Sequence, residues 1–302
     1  MSLIMLPQAT VDPLFDLLRP DKLTAVVDIG ANPIDGEPPY KAMLEASLCT
    51  LTGFEPQAVA LAELNRRKGA NETYLPFAVG DGRAHVLYVC RERGMSSLLA
   101  PDPKHLALFH EFPMHGLVEK EERVATRRLD DIKEIDNIDF LKIDIQGGEL
   151  DVFKNGRRRL GAAVVVQTEV SFVPLYRGQP PFGAIDTYLR TLGFLPHCFA
   201  ELKQRPLHPL LVDGDPKAGL RQLLEADLVY VRDFSRLENL SAEQWKHVAL
   251  IAHHCYESFD LAYRAITGAA QLGGVRPDAP ERYLAFIRSL GVPATVAQAQ
   301  LL

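Results

Sequence analysis

Thr24-Ala-Val-Val-Asp-Ile-Gly30 is a short β-branched apolar run closed by glycine, the pattern of a buried strand feeding a tight turn. Comparable runs recur at residues 50–54, 73–79, 140–145 and 164–170. Helix-like stretches follow at 40–47, 58–67, 149–159 and 184–192. This alternation predicts an α/β fold with a doubly wound, mostly parallel sheet covered on both faces.

Two later runs, 195–200 and 227–231, are expected to complete the sheet, with a proline-rich surface excursion at 203–219 between them. Beyond Asp233 the pattern turns helical, at 242–267 and 280–290, with a breaker stretch at 273–277. A boundary near residue 234 is therefore expected, giving a sheet domain over 1–234 and a helical extension over 235–302. Ser241 ahead of Ala-Glu-Gln-Trp245 reads as a helix cap, and Val248, Ile251, Cys255, Phe259 and Ala262 recur at helical spacing. That apolar stripe has three possible uses: covering the sheet, forming a homodimer surface, or docking a partner.

The composition, 47% hydrophobic and 24% charged over 302 residues, is that of a globular protein. A net charge of −6 argues against a nucleic-acid groove, which needs clustered cations. Cys49, Cys90, Cys198 and Cys255 are widely spaced, without a CxxC pair, and are expected to be free thiols in a reducing compartment. No apolar run has membrane-spanning length and no signal segment is evident, so a cytoplasmic protein is expected.

Ligands of an open parallel sheet collect at the carboxyl ends of its strands. Asp28-Ile-Gly-Ala-Asn32 closes the first strand, and Gly30 lets a ligand approach the main chain. Glu55, in Gly53-Phe-Glu-Pro56, closes the second; a carboxylate there can accept two hydrogen bonds from a ribose diol. A dinucleotide would use the same pair, but pyrophosphate needs further glycines and a bare helix N-terminus. Here the turn continues Asn32-Pro-Ile-Asp-Gly-Glu37, and Asp35 and Glu37 would repel phosphate. The acidic rim favours S-adenosylmethionine, a phosphate-free sulfonium, over NAD.

The sequence at this point resembles the FkbM-type methyltransferases, S-adenosylmethionine-dependent O-methyltransferase domains with a class I, Rossmann-like fold. The likeness spans about 26–194 and rests on Val27-Asp-Ile-Gly-Ala-Asn32, Gly53-Phe-Glu-Pro56, Ala78-Val-Gly-Asp81, Leu129-Asp-Asp131 and, most specifically, Leu141-Lys-Ile-Asp-Ile-Gln-Gly-Gly-Glu149. The resemblance implies that Asp28, Gly30 and Asn32 line the methionine and ribose side, that Glu55 holds the ribose, and that Asp81 lies near the adenine. It also implies a nearby Ser-Ser element, matched by Ser96 and Ser97. The family's second glycine after Asn32 is replaced by Pro33-Ile-Asp35.

Methyl transfer needs an aligned acceptor oxygen and removal of its proton. Asp144 and Glu169, at strand ends beside the cofactor residues, are the candidates for base or substrate anchor. Lys142 alternates with Asp144, so both should face one side of the sheet, as an active pair or a structural one. Glu149 fits the first turn of a helix, where the macrodipole favours an acid. Asp144 and Glu169 could supply hard oxygen ligands, but no metal is expected, and His253-His254-Cys255 points in different directions from a helix.

Residues 91–122 form a long stretch with His105, His110 and His115, expected as a lid or substrate wall. Tyr176 and Arg177 could touch a hydroxyl-rich or anionic acceptor, and Arg157–Arg159 are expected to close a helix. Three functions follow: an O-methyltransferase acting on a sugar, glycan or secondary metabolite, a nucleotide-dependent oxidoreductase, or a binding module that keeps the pocket without catalysis.

Overall fold

The computed structural model describes residues 12–32 and 36–297; Pro33-Ile-Asp35, with the expected charge of Asp35, lies outside the described residues. The strands are β1 (Thr24–Ile29), β2 (Cys49–Phe54), β3 (Glu72–Leu75), β4 (Ala78–Val79), β5 (Ala84–Cys90), β6 (Val118–Arg127), β7 (Phe140–Ile143), β8 (Val165–Ser171), β9 (Phe194–Gln204) and β10 (Leu223–Arg232). The main sheet is seven-stranded in the order β3-β2-β1-β7-β8-β10-β9. Its pairs from β3 to β8 are parallel, and β10 runs antiparallel to both neighbours. Strand order reverses between β1 and β7, which places the ligand crevice over their carboxyl ends.

Alternation along the strands divides the core. Val26, Phe140, Val165 and Val229 face the helices Pro13–Leu18, Ala242–Tyr256, Phe259–Gln271 and Ala279–Ser289. Val27, Ile29, Leu141, Ile143 and Val166 face the helices Glu149–Lys154, Arg157–Leu160 and Phe182–Thr191. The helices after residue 234 thus share one apolar core with the sheet. Close packing helps fix them: a Cβ on Gly268 would come within 2.9 Å of the Trp245 ring.

Several expected elements are divided. The run 73–79 is split at Pro76-Phe77 into β3 and β4, which belong to different sheets, since proline donates no ladder hydrogen bond. The helix expected over 149–159 breaks at Asn155-Gly156. Arg157–Arg159 consequently open a second helix rather than close the first, and Asp130 accepts from the backbone N–H groups of Arg158 (3.1 Å) and Arg159 (2.9 Å). The long helix over 242–267 breaks where Glu257 turns left-handed. A second sheet, β4-β6-β5, was not expected; the charges of Val118–Arg127 hide its strand pattern.

The excursion between β5 and β6 is a packed wall. Cys90, Met95, Leu106 and Phe109 bury against Leu175, Tyr176 and Leu224. The four cysteines carry free thiols. Among the described residues, no helix is long and apolar enough to cross a membrane.

Candidate active site

Two clefts open over the switch point and meet at Gly30, Asn32 and Asp144. The first is a narrow slot of about 110 Å³. Phe54, Phe77, Val79, Leu87 and Ile145 give it apolar walls, with Glu55 among them. The second, about 670 Å³, is polar and lies between the sheet, β9 and the end of the helix Ala242–Tyr256.

Gly30 is required by the crossing of two chain segments. Its φ is +85°, and a Cβ would sit 2.0 Å from the carbonyl oxygen of Asp144. The backbone N–H groups of Gly30 and Ala31 both donate to the Phe54 carbonyl, at 3.1 Å, which ties the β1 turn to β2. At the β2 tip Glu55 is 3% exposed, and its Oε1 accepts from the backbone of Gln57 at 2.7 Å. Burial, opposed by that bond and assisted by the charge of Asp28, pushes its carboxyl up to about 7.

The strand register builds the floor of the polar cleft. Asp28 of β1 lies beside Lys142 of β7, which lies beside Gln167 of β8, so one row of polar side chains crosses three strands. Lys142 was expected to face Asp144; its recorded ion pair is with Asp28, at 3.5 Å. Asp28 Oδ2 accepts from the Tyr40 hydroxyl, and Oδ1 is buried without a hydrogen bond. The row ends at Asp227 of β10, whose Oδ2 accepts from Gln167 at 3.0 Å. Burial pulls Lys142 down, but the carboxylates of Asp28, Asp144 and Asp227 override it and hold the ammonium up at about 12.

Asp144 reaches the junction, whereas Glu169 stays behind it and lines neither cleft. Gln146 connects them: its Nε2 donates to Asp144 Oδ1 and to Glu169 Oε2, each at 2.9 Å. Burial, with Glu225 and Asp144 nearby, pushes the Glu169 carboxyl well above the usual range. Glu149 shapes the turn, its Oε1 accepting from the backbones of Ile145 and Gly147 at 3.0 Å. Burial pushes it up to about 7 against those bonds. One oxygen from each of Asp144, Glu149 and Glu169 falls within 4.8 Å of the others, with the Gln146 amide already donating to two of the three carboxyls.

Ser96 and Ser97 line the slot, but their hydroxyls brace its wall. Ser96 Oγ accepts from the Cys90 backbone at 3.1 Å, and Ser97 Oγ donates to the Gln146 carbonyl at 2.7 Å. Asp81 is turned away, bound to His85 at 2.8 Å and lining a separate cleft. Tyr176, offered by the sequence as an acceptor contact, is 2% exposed, and its hydroxyl lies 2.9 Å from Gln146 Oε1. His105, His110 and His115 line neither cleft. His253 is 3.0 Å from the Tyr283 hydroxyl, and His254 is 3.5 Å from Asp12.

Sequence reasoning missed Gln146, Lys203, Glu225 and Asp227. Only Gln146 had a local signal, a polar side chain in the turn before Gly147-Gly148.

A seven-stranded sheet with one antiparallel strand near its edge, and an acid at each of its first two strand tips, defines a doubly wound enzyme of the class I methyltransferase type. Residues 28–196 match the methyltransferase FkbM domain, and the chain belongs to that family. It is similar to the 2-O-methyltransferase NoeI of Sinorhizobium fredii, at 29% identity over 187 residues, covering 56% of this chain and 71% of that one. Distant solved likenesses include the magnesium protoporphyrin IX methyltransferase of Synechocystis PCC 6803 with bound SAM (TM-score 0.36, 9% identity, 70% of each chain). Another is a precorrin-6y C5,15-methyltransferase from Geobacter metallireducens (TM-score 0.33, 14% identity, 72% of this chain and 86% of that one).

Proposed function

We propose that this methyltransferase uses S-adenosylmethionine and methylates a hydroxyl of a sugar, glycan or secondary-metabolite acceptor. The observation that carries the reading is the meeting of an apolar, acid-bearing slot with a polar cleft at Gly30, Asn32 and Asp144. The slot's lining suits a nucleoside. Phe54, Phe77, Val79 and Leu87 offer apolar walls to a base, Glu55 two acceptor oxygens to a ribose, and Gly30 a bare backbone. It suits a diphosphate poorly: among the described residues its one lining Lys or Arg is Arg93, already bound to Glu119 and the Cys90 carbonyl.

When bound, S-adenosylmethionine supplies an electrophilic methyl group on a sulfonium. Asp28 and Asp144 set negative potential at the junction, which suits a cationic donor. Gln146 holds Asp144 by Oδ1 and leaves Oδ2 to take the acceptor's proton. Glu169 touches the junction only through Gln146, so it positions rather than reacts. In this reading the chain divides near residue 234, and the extension supplies one wall of the polar cleft.

Calorimetric titration with S-adenosylhomocysteine and with NAD separates this reading from an oxidoreductase. Binding of the former is expected; binding of NAD alone would overturn the assignment. Transfer of labelled methyl groups to a panel of glycosides and hydroxylated small molecules is expected as well, and tight cofactor binding without any transfer points to a binding module.

A further inference from the structure

We propose that the polar cleft is the acceptor site and that it takes a hydroxyl-rich acceptor carrying no phosphate or carboxylate. The inference rests on the methyltransferase reading above and narrows its substrate class. The cleft shares Gly30, Asn32 and Asp144 with the slot, so a molecule lying in it can present an oxygen where the two volumes meet.

Charge decides what that molecule is. Among the described lining residues the side chains able to carry positive charge are Lys142, Lys203 and His254, and each already faces a carboxyl: Asp28 at 3.5 Å, Glu225 at 3.0 Å and Asp12 at 3.5 Å. None is left to receive an anion. The other lining carboxyls, Asp144 and Asp227 among them, would repel one.

Burial pushes the Asp227 carboxyl up. Both its protonated and its ionised form bind hydroxyls, and neither brings a positive charge to a phosphate. Gln167, on the cleft floor, adds an amide that both donates and accepts. A neutral polyol satisfies such a mixed lining because every hydroxyl both donates and accepts.

One wall of the cleft lies beyond the matched segment. The family match ends at residue 196, whereas Ala200, Glu201, Lys203, Asp227 and Tyr256 all follow it. The part of the chain that the family pattern does not cover thus shares in acceptor choice with Asp28, Lys142 and Gln167 of the matched segment.

Saturation-transfer NMR on protein loaded with S-adenosylhomocysteine provides the measurement. Probes are methyl glucoside and methyl mannoside beside glucose 1-phosphate and mannose 1-phosphate. Transfer to the glycosides and none to the phosphates is expected, with the glycoside signal lost in Ala200→Trp, which fills the cleft from an exposed position. Preferential transfer to the phosphates, no transfer to either glycoside, or a glycoside signal unchanged in Ala200→Trp overturns the proposal. Calorimetry with S-adenosylhomocysteine on the same samples keeps the two readings apart: failure there counts against the cofactor assignment, not against the acceptor cleft alone.

Discussion

The ammonium of Lys142 lies 3.5 Å from Oδ1 of Asp28, a carboxylate on the neighbouring strand that is 2% exposed. Tyr40 binds the other oxygen, so Lys142 is the charge that keeps this buried acid compatible with the sheet. Removing one partner of such a pair leaves an uncompensated buried charge, at a cost of about 3–5 kcal/mol. Lys142→Met should therefore lower the urea midpoint strongly. Adding Asp28→Asn should recover part of the loss, and a double-mutant cycle that is simply additive would show the pair to be uncoupled.

The carboxyl of Glu55 makes cofactor affinity depend on pH. Its value in the free protein is about 7, and binding a ribose diol by two hydrogen bonds requires the ionised form. Below that pH the group must first lose a proton, so affinity for S-adenosylhomocysteine should fall about tenfold per pH unit and level off above it. Glu55→Gln should bind more weakly at neutral pH and with little pH dependence. Calorimetry from pH 5 to pH 8 (about that range suffices) checks both, and a wild-type affinity that is flat across the window removes Glu55 from the ribose site.

How much of this was legible before the fold was seen depends on how local each signal was. The strand carrying Val26 to Ile29 and the turn at Gly30 are written in consecutive residues, and they stand where expected. Parity also put Lys142 and Asp144 on one face. The partner of Lys142, however, is fixed by the register of β7 against β1, which no local pattern encodes. Asp227 and Lys203 join the site only because β10 returns antiparallel beside β8 and β9. Tyr176 looked available because a loop tyrosine is usually exposed; the small core built around Met95 and Phe109 buries it.

Gln146 should separate cofactor binding from chemistry. Its amide fixes Asp144 and Glu169 together, so Gln146→Ala lets both carboxyls drift, and misplacement of a reacting group by about 1 Å can cost about a hundredfold. A fall of that order in kcat, with much less change in affinity for S-adenosylhomocysteine, is expected. Gln146→Glu gives a sharper reading. A carboxylate in place of the shared amide donor repels Asp144 and Glu169 where the amide held them, so the loss in kcat should be at least that of Gln146→Ala. A purely structural role would lower cofactor affinity and kcat together.

His253 ties stability to pH far from the junction. Burial, with the neighbouring charge of His254, pulls its pKa down to about 4, and it packs among Phe259, Tyr283 and Phe286. The folded value lies below the unfolded one, about 6.5. Between them the unfolded chain takes up a proton that the folded chain refuses, so stability is complete above about 6.5 and declines as pH falls toward 4. His253→Phe gives up the hydrogen bond to Tyr283 but keeps the aromatic contacts. Its Tm should be lower near neutral pH, and the gap to wild type should narrow on acidification. Tm curves that stay parallel over that window would assign the acid sensitivity to another group, with His247, also pulled down by burial, the next to substitute.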